Sequence, residues 1–143
     1  MVREGILRAM ESCPDITVVA EVSTARELMD SVSAKVDCVV TETDLPDRDG
    51  LLLLEELHRL WPKLPVVAYS TVRTEAFVIR CLGAGAFAYL GKDSNTKELV
   101  SAIRSALAGE KYLTPTLAAR VATELGSTTA HRPPLLMSMA LMP

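Results

Sequence analysis

The chain alternates short β-branched runs with amphipathic segments, and this alternation constrains its fold more than any other feature. Short runs rich in Val and Ile predict strands, whereas apolar residues three or four positions apart predict helices. The predicted strands cover residues 16–22, 36–42, 65–70 and 86–92. The predicted helices cover residues 2–13, 24–34, a leucine-rich segment that ends before Pro62, 74–82 and 96–109.

Strands that alternate with helices in this way predict an α/β fold with a doubly wound parallel sheet. Right-handed crossovers join parallel strands and place helices on both faces of such a sheet. We expect four strands, with 36–42, 65–70 and 86–92 adjacent in that order and 16–22 paired with 36–42. In open sheets of this type the functional site lies beyond the carboxyl ends of the strands. The residues expected at those ends are Ser23, Glu42, Ser70 and Lys92.

The length of 143 residues is enough for one domain with its own core. We expect that domain to cover residues 1–113. Thr114 and Pro115 then begin a predicted linker helix over 114–126, because proline suits the first turn of a helix. Residues 127–143 carry two adjacent prolines and no clear period, so a loose tail is expected there.

Composition indicates a cytoplasmic globular protein. Apolar residues make up 49% of the chain and charged residues 23%, and the formal net charge of −3 offers no basic field for nucleic acid. No apolar run approaches the roughly 20 residues that a membrane span needs, and the first residues lack the core of a signal peptide. Cys13, Cys38 and Cys81 have no metal-site spacing and are expected to be free thiols.

Four separated motifs resemble one family, the CheY-like receiver domains of bacterial response regulators. VREGILRAM (2–10) is similar to the first helix of the branch that usually carries a LuxR/NarL-type helix-turn-helix. VVTETDLPDRDG (39–50) resembles the phosphorylation strand and loop, with Pro46 and Gly50 at the family's distances from the acceptor. VVAYST (66–71) and GAGAFAYLGKD (83–93) resemble the two later site strands. The likeness covers about residues 2–121.

For an intact receiver, the resemblance implies a phosphorylation switch. An aspartate takes a phosphoryl group from a sensor histidine kinase, and Mg²⁺ is held by that aspartate and an acidic pair after the first strand. A hydroxyl and a lysine then hold the phosphoryl group, and an aromatic residue turns inward. The matching positions here are Ser70, Lys92 and Tyr89, and Asp44 lies in the loop.

This sequence departs from the family pattern in two ways. Glu42 occupies the position of the acceptor aspartate, and the chain begins inside the first helix, so the first strand and its acidic pair are missing. We therefore expect neither a bound metal or other cofactor nor phosphoryl transfer. A missing central strand leaves two strand edges without partners. Three outcomes are open for these edges: residues 16–22 pair with 36–42, a second chain fills the gap, or segment 1–35 packs poorly.

Each site residue has two interpretations. Glu42 is either a built-in mimic of the phosphoryl group, one methylene longer than aspartate, or part of a degenerate site in which it only neutralises Lys92. Ser70 is a switch hydroxyl or a small polar residue that ends a strand. Tyr89 is a switch aromatic or ordinary packing with its hydroxyl in water. Lys92 is a site cation or a solvated lysine.

The leading hypothesis is a non-enzymatic, receiver-like regulatory domain of an atypical response regulator in two-component signal transduction and transcription regulation. The alternatives are a receiver phosphorylated on a substitute aspartate, Asp44 or Asp47, and a non-functional gene fragment truncated at both ends. A flavodoxin-like nucleotide or flavin binder is disfavoured, because no strand is followed by a Gly-rich phosphate loop.

The expected partners are a second copy of this chain, another protein or a sensor histidine kinase, and no direct contact with nucleic acid or membrane is expected. The resemblance implies contact through helices 2–13 and 96–109. Their basic residues are Arg3, Arg8, Lys97 and Arg104.

Overall fold

The computed structural model describes residues 3–71, 74–91, 94–113, 118, 119 and 122. Within these residues, four parallel strands form one sheet that is flanked by five helices. The helices are α1 (Arg3–Glu11), α2 (Ala25–Ser31), α3 (Gly50–Leu60), α4 (Glu75–Gly83) and α5 (Thr96–Leu107). The strands are β1 (Val39–Glu42), β2 (Val66–Ser70), β3 (Ala88–Gly91) and β4 (Tyr112–Leu113).

The sheet has the order β1-β2-β3-β4, and every pairing is parallel. The predicted adjacency of the strands at 36–42, 65–70 and 86–92 is therefore confirmed. The fold class is also confirmed, because helices cover both faces of this parallel sheet.

The expectation for residues 16–22 is wrong. This segment forms no strand, and its predicted pairing with 36–42 does not occur. β-branched residues favour an extended backbone, but a strand also requires a neighbour that accepts and donates its ladder hydrogen bonds. The fourth strand is β4 at the opposite edge, where the Tyr112 amide donates to the Phe87 carbonyl at 2.8 Å.

Two apolar layers hold the helices against the sheet. On one face α2, α3 and α4 pack over a cluster that includes Leu53, Leu57 and Tyr89. On the other face α1 and α5 pack over a cluster that includes Met10 and Leu99. Because neighbouring residues of a strand alternate between these faces, both sides of the central strands are apolar.

Polar side chains fix where four helices begin. The side chains of Thr24, Asp49, Thr74 and Asn95 accept hydrogen bonds from backbone N–H groups in the first turns of α2, α3, α4 and α5. Beside the cap at Thr24, the Glu27 carboxylate accepts a hydrogen bond from the Ser23 amide at 3.2 Å. Such caps satisfy amides that have no partner inside the helix.

Several sequence-based expectations concern residues outside the described part of the chain. They are Lys92, the tail 127–143 and, apart from positions 118, 119 and 122, the linker helix 114–126. Among the helices of the described residues, none is long and apolar enough to cross a bilayer.

Candidate functional site at the carboxyl ends of the strands

Glu42 is the last residue of β1 and stands at the carboxyl edge of the sheet. Its side chain is half-buried, between buried Thr41 and Thr43. The Thr43 amide donates to the Tyr69 carbonyl at 3.1 Å, so β1 remains attached to β2 just beyond Glu42. The backbone at Glu42 is therefore held by the sheet.

The loop after Glu42 closes on itself. The Gly50 amide donates to the Thr43 carbonyl at 3.1 Å, and Asp44 and Asp49 form an antiparallel bridge. A Cβ atom on Gly50 would lie 2.3 Å from the Thr43 carbonyl oxygen, closer than any side chain tolerates. Glycine at position 50 is thus a packing requirement of this loop.

Asp47 attaches the same loop to the start of α2. Its carboxylate accepts hydrogen bonds from the backbone amides of Ala25 at 2.8 Å and Arg26 at 3.2 Å. The hydrogen bond from Ala25 is the main reason that the pKa of Asp47 lies below its ordinary value. Sequence reasoning considered Asp47 only as a substitute acceptor and missed this contact, since nothing local links positions 47 and 25.

Ser70 and Tyr89 are completely buried. Tyr89 packs edge-on against Phe77 of α4, with ring centroids 6.2 Å apart and an interplanar angle of 76°. The interpretation that places its hydroxyl in water is therefore wrong. Ser70 and Tyr89 lie on the same face of the sheet, since Tyr89 is aligned with Ala68 and side chains alternate along β2.

Glu42 and Ser70 do not share a row of the sheet. Glu42 is aligned with Tyr69, whereas Ser70 is aligned with Gly91. Strand alternation assigns Glu42 to the face covered by α1 and α5, and Ser70 to the face covered by α3 and α4. The structure thus brings both residues to one edge of the sheet but on opposite faces.

The expected pairing of Glu42 with Lys92 stays a prediction, because Lys92 lies outside the described residues. In the described ranges, no three His, Cys, Asp or Glu side chains are grouped so that they could hold a metal ion.

The three cysteines are free thiols, as expected. Burial raises the pKa of Cys38 to about 12, with a further contribution from the charge of Asp37. Burial also raises the pKa of Cys81 to about 12. Because the thiolate is the reactive form, both side chains are poor nucleophiles at neutral pH.

The helices α1 and α5 lie side by side, and Arg8 of α1 and Lys97 of α5 are both exposed. Arg104 of α5 is also exposed, but its guanidinium pairs with Asp15 of the same chain, with one hydrogen bond of 3.1 Å. This pair connects α5 to the turn after α1. Arg104 therefore has a structural contact that sequence reasoning did not foresee.

A cleft of about 400 Å³ opens along the edge of β1 that faces away from β2. We call it the β1-edge cleft. It is lined by α1, the segment 15–22, the run 35–42 and the end of α5. Val18 and Val19, which the sequence predicts to lie in a strand, are exposed beside this cleft and form no strand.

Comparisons with known proteins agree on one family. The model of the response regulator receiver domain matches residues 1–104. Response regulator GacA of Pseudomonas viridiflava is 32% identical over 123 residues, which are 85% of this chain and 58% of that protein. The nitrate/nitrite response regulator protein NarL of Escherichia coli K12 is 32% identical over 133 residues, 90% of this chain and 62% of that protein.

A solved structure shows the same fold. The two-component response regulator of the LuxR family from Aurantimonas sp. SI85-9A1 superposes with a TM-score of 0.77 and 31% identity, covering 85% of this chain and 88% of that one. The chain thus spans about three fifths of the length of the curated relatives that it matches.

Proposed function

This chain belongs to the response regulator receiver domain family, and from that premise we propose that it is a regulatory module that acts through protein contacts without accepting a phosphoryl group. It serves two-component signalling and, as part of a longer protein, transcription regulation. It is not an enzyme. The domain corresponds to residues 1–113, followed by a linker helix at 114–126 and a loose tail at 127–143.

The observation that carries the proposal is the position of Glu42. A glutamate ends β1 and precedes the closed loop 43–50. Its carboxylate lies one methylene further from the backbone than that of an aspartate. Phosphoryl transfer depends on positioning and on a metal that neutralises the charge of the transferred group. Glu42 supplies a carboxylate that is displaced by one methylene from the position an aspartate would give it. The proposed function includes no metal or other cofactor.

A substitute acceptor in the loop is disfavoured by the contacts of Asp47. Its carboxylate is held by the amides of Ala25 and Arg26 at the start of α2. Modification of Asp47 would remove these hydrogen bonds and place a bulky charged group against the helix. Asp44 is exposed in the loop but belongs to the short bridge with Asp49, which holds the loop closed.

A second candidate is that Glu42 keeps the domain in the state that phosphorylation produces in relatives. The burial of Tyr89 favours it, because the inward aromatic is what the family resemblance implies for that state. The chemistry of the carboxylate favours the simpler account, in which Glu42 does not replace a phosphoryl group, because one carboxylate carries less charge and fewer acceptor oxygens than an aspartyl phosphate.

The surface of α1 and α5 is the proposed contact region for a second copy or another protein partner, and a sensor histidine kinase is a further candidate partner. Exposed Arg8 and Lys97 lie on these two helices. Complementary charges across an interface set both the rate and the specificity of association. We propose no direct binding of nucleic acid or membrane by this domain, and a cytoplasmic location.

Analytical ultracentrifugation tests this contact region. The double variant Arg8→Glu/Lys97→Glu is expected to weaken self-association at least about tenfold, or about 1.4 kcal/mol. The matched control Arg59→Glu/Lys63→Glu makes the same change of charge at exposed positions in and after α3 and should associate like the native chain. Equal weakening by both variants would contradict the proposed surface.

The same measurement separates the two accounts of Glu42. If Glu42 replaces a phosphoryl group, then Glu42→Gln removes the charge and should weaken self-association. If Glu42 is inert, Glu42→Gln should associate like the native protein. The second result is expected here.

A further inference from the structure

The β1-edge cleft, of about 400 Å³, is a surface of the described residues that the proposed function does not use. Of the five large hydrophobic side chains that are most exposed in the described residues, Val18, Val19 and Leu107 line this cleft. Val19 is 68% exposed. A cluster of exposed apolar side chains at one site is typical of a surface that binds another apolar segment.

The backbone of β1 offers hydrogen-bonding groups along the cleft. On the other side of the strand, the Val39 amide donates to Pro65 at 3.0 Å and the Thr43 amide donates to Tyr69. Successive residues of a strand alternate in direction, so the backbone groups of Val40 point into the cleft. Among the described residues no strand pairs with β1 on that side.

The shape of the cleft fits an extended segment. The lining includes the continuous run 36–42, which is about 23 Å long at roughly 3.3 Å per residue. Apolar side chains border it on both sides of the sheet plane, with Ile6, Met10 and Ile103 on one side and Leu28 and Val32 on the other. A strand inserted beside β1 would place its side chains between these two sets.

The chain itself contains a suitable apolar segment. Residues 135–142 read LLMSMALM, with seven apolar residues of eight, and lie outside the described residues. Alternate positions 135, 137, 139 and 141 are all Leu or Met. Methionine adapts to irregular apolar surfaces, because its side chain is unbranched and flexible.

The intervening chain is long enough to reach the cleft. Positions 113 and 135 are separated by 22 residues, which can span up to about 70 Å when extended. β4 lies three strands from β1, so the position beyond β1 is about 19 Å away across the sheet at roughly 4.8 Å per strand.

The charges of the two surfaces are complementary. The cleft is lined by one basic residue, Lys35, and by four acidic residues: Asp15, Glu21, Asp37 and Glu42. The tail from position 126 onward contains no acidic residue and carries Arg132 three residues before its apolar segment. Attraction between these charges favours docking of the tail at this edge.

From these observations we propose that residues 135–142 dock in the β1-edge cleft of the same chain as an added edge strand beside β1. The tail thereby covers Val18 and Leu107 and supplies hydrogen-bonding partners for the backbone of Val40. The interaction is independent of phosphorylation and goes beyond the proposed function of the domain.

Hydrogen exchange followed by mass spectrometry tests the docking in the full chain. In the variant Met137→Asp/Met139→Asp, the amides of residues 38–42 should exchange at least about tenfold faster than in the native chain. The control Thr128→Asp/Thr129→Asp adds the same charge to the same tail outside the apolar segment and should leave that exchange unchanged. Equal exchange in all three proteins would overturn the proposal.

A cross-link identifies the occupant. Val18→Cys/Ser138→Cys should be bridged within one chain by a short bismaleimide. The control Leu52→Cys/Ser138→Cys uses a comparably exposed position on α3, away from the cleft, and should not be bridged. Bridging only between two chains would show that a second copy supplies the segment and would overturn docking in the same chain. Absence of any bridge at position 18 would overturn it as well.

Discussion

At the scale of single residues, the loop 43–50 depends on two residues for two different reasons. Gly50 is required because the Thr43 carbonyl occupies the space of a side chain. Asp47 is required because its carboxylate accepts two amides of α2. The spacing of Gly50 from Glu42 could be recognised in the sequence, whereas the contact of Asp47 with Ala25 depends on the folded arrangement.

Substitution of Gly50 tests the packing of this loop. Gly50→Ala should lower the free energy of unfolding by about 1–3 kcal/mol, because the added methyl group forces the backbone of Thr43 to move. Urea denaturation measures the change. Gly5→Ala is the matched control, since a Cβ at Gly5 in α1 meets nothing within 4 Å. That variant should be unchanged or slightly more stable, because alanine favours a helix. Equal stability of both variants would contradict the packing requirement.

The contacts of Asp47 predict a pH dependence of stability. Its pKa is lowered in the folded state, chiefly by the Ala25 amide. The stabilisation is therefore present above the ordinary pKa of an unfolded aspartate, near 3.9, and is lost as the pH falls through the lower folded value. Asp47→Asn should reduce the free energy of unfolding at pH 7. Below about pH 4 the variant should lose less stability with falling pH than the native chain does. Asp30→Asn, at an exposed position in α2, should keep the native pH profile.

At the scale of elements, sequence reasoning succeeded where hydrophobic period and turn residues agreed. The three adjacent strands and the five helices begin and end within a few residues of their predicted positions. It failed for residues 16–22, because strand formation depends on a neighbour that local composition cannot report. It also missed β4, since a two-residue strand has no period to detect.

The failure at 16–22 leads to a prediction for local stability. The amides of this segment should exchange at least about tenfold faster than those of residues 66–70, which lie in the middle of the sheet. Hydrogen exchange resolved to short peptides provides the comparison. Comparable protection of both segments would show that residues 16–22 have a hydrogen-bonding neighbour in solution and would contradict the account of the sheet edge.

At the scale of the whole molecule, a receiver fold carries a glutamate at the carboxyl end of β1. The parallel sheet brings Glu42 and Ser70 to its carboxyl edge, and Tyr89 lies earlier in β3, aligned with Ala68. The fold and the family could be predicted from the sequence, because separated motifs agree in their spacing. The alignment of Glu42 with Tyr69 could not, since no local pattern reports the register of β1 against β2.

The central claim is that this receiver domain does not accept a phosphoryl group, and intact-mass spectrometry tests it most directly. The native protein is incubated with acetyl phosphate and Mg²⁺, beside the receiver domain of Escherichia coli NarL as a positive control for the donor. The account predicts no change in mass for the native protein. A hydroxylamine-labile gain of one phosphoryl group, mapped to Glu42, Asp44 or Asp47, would contradict it.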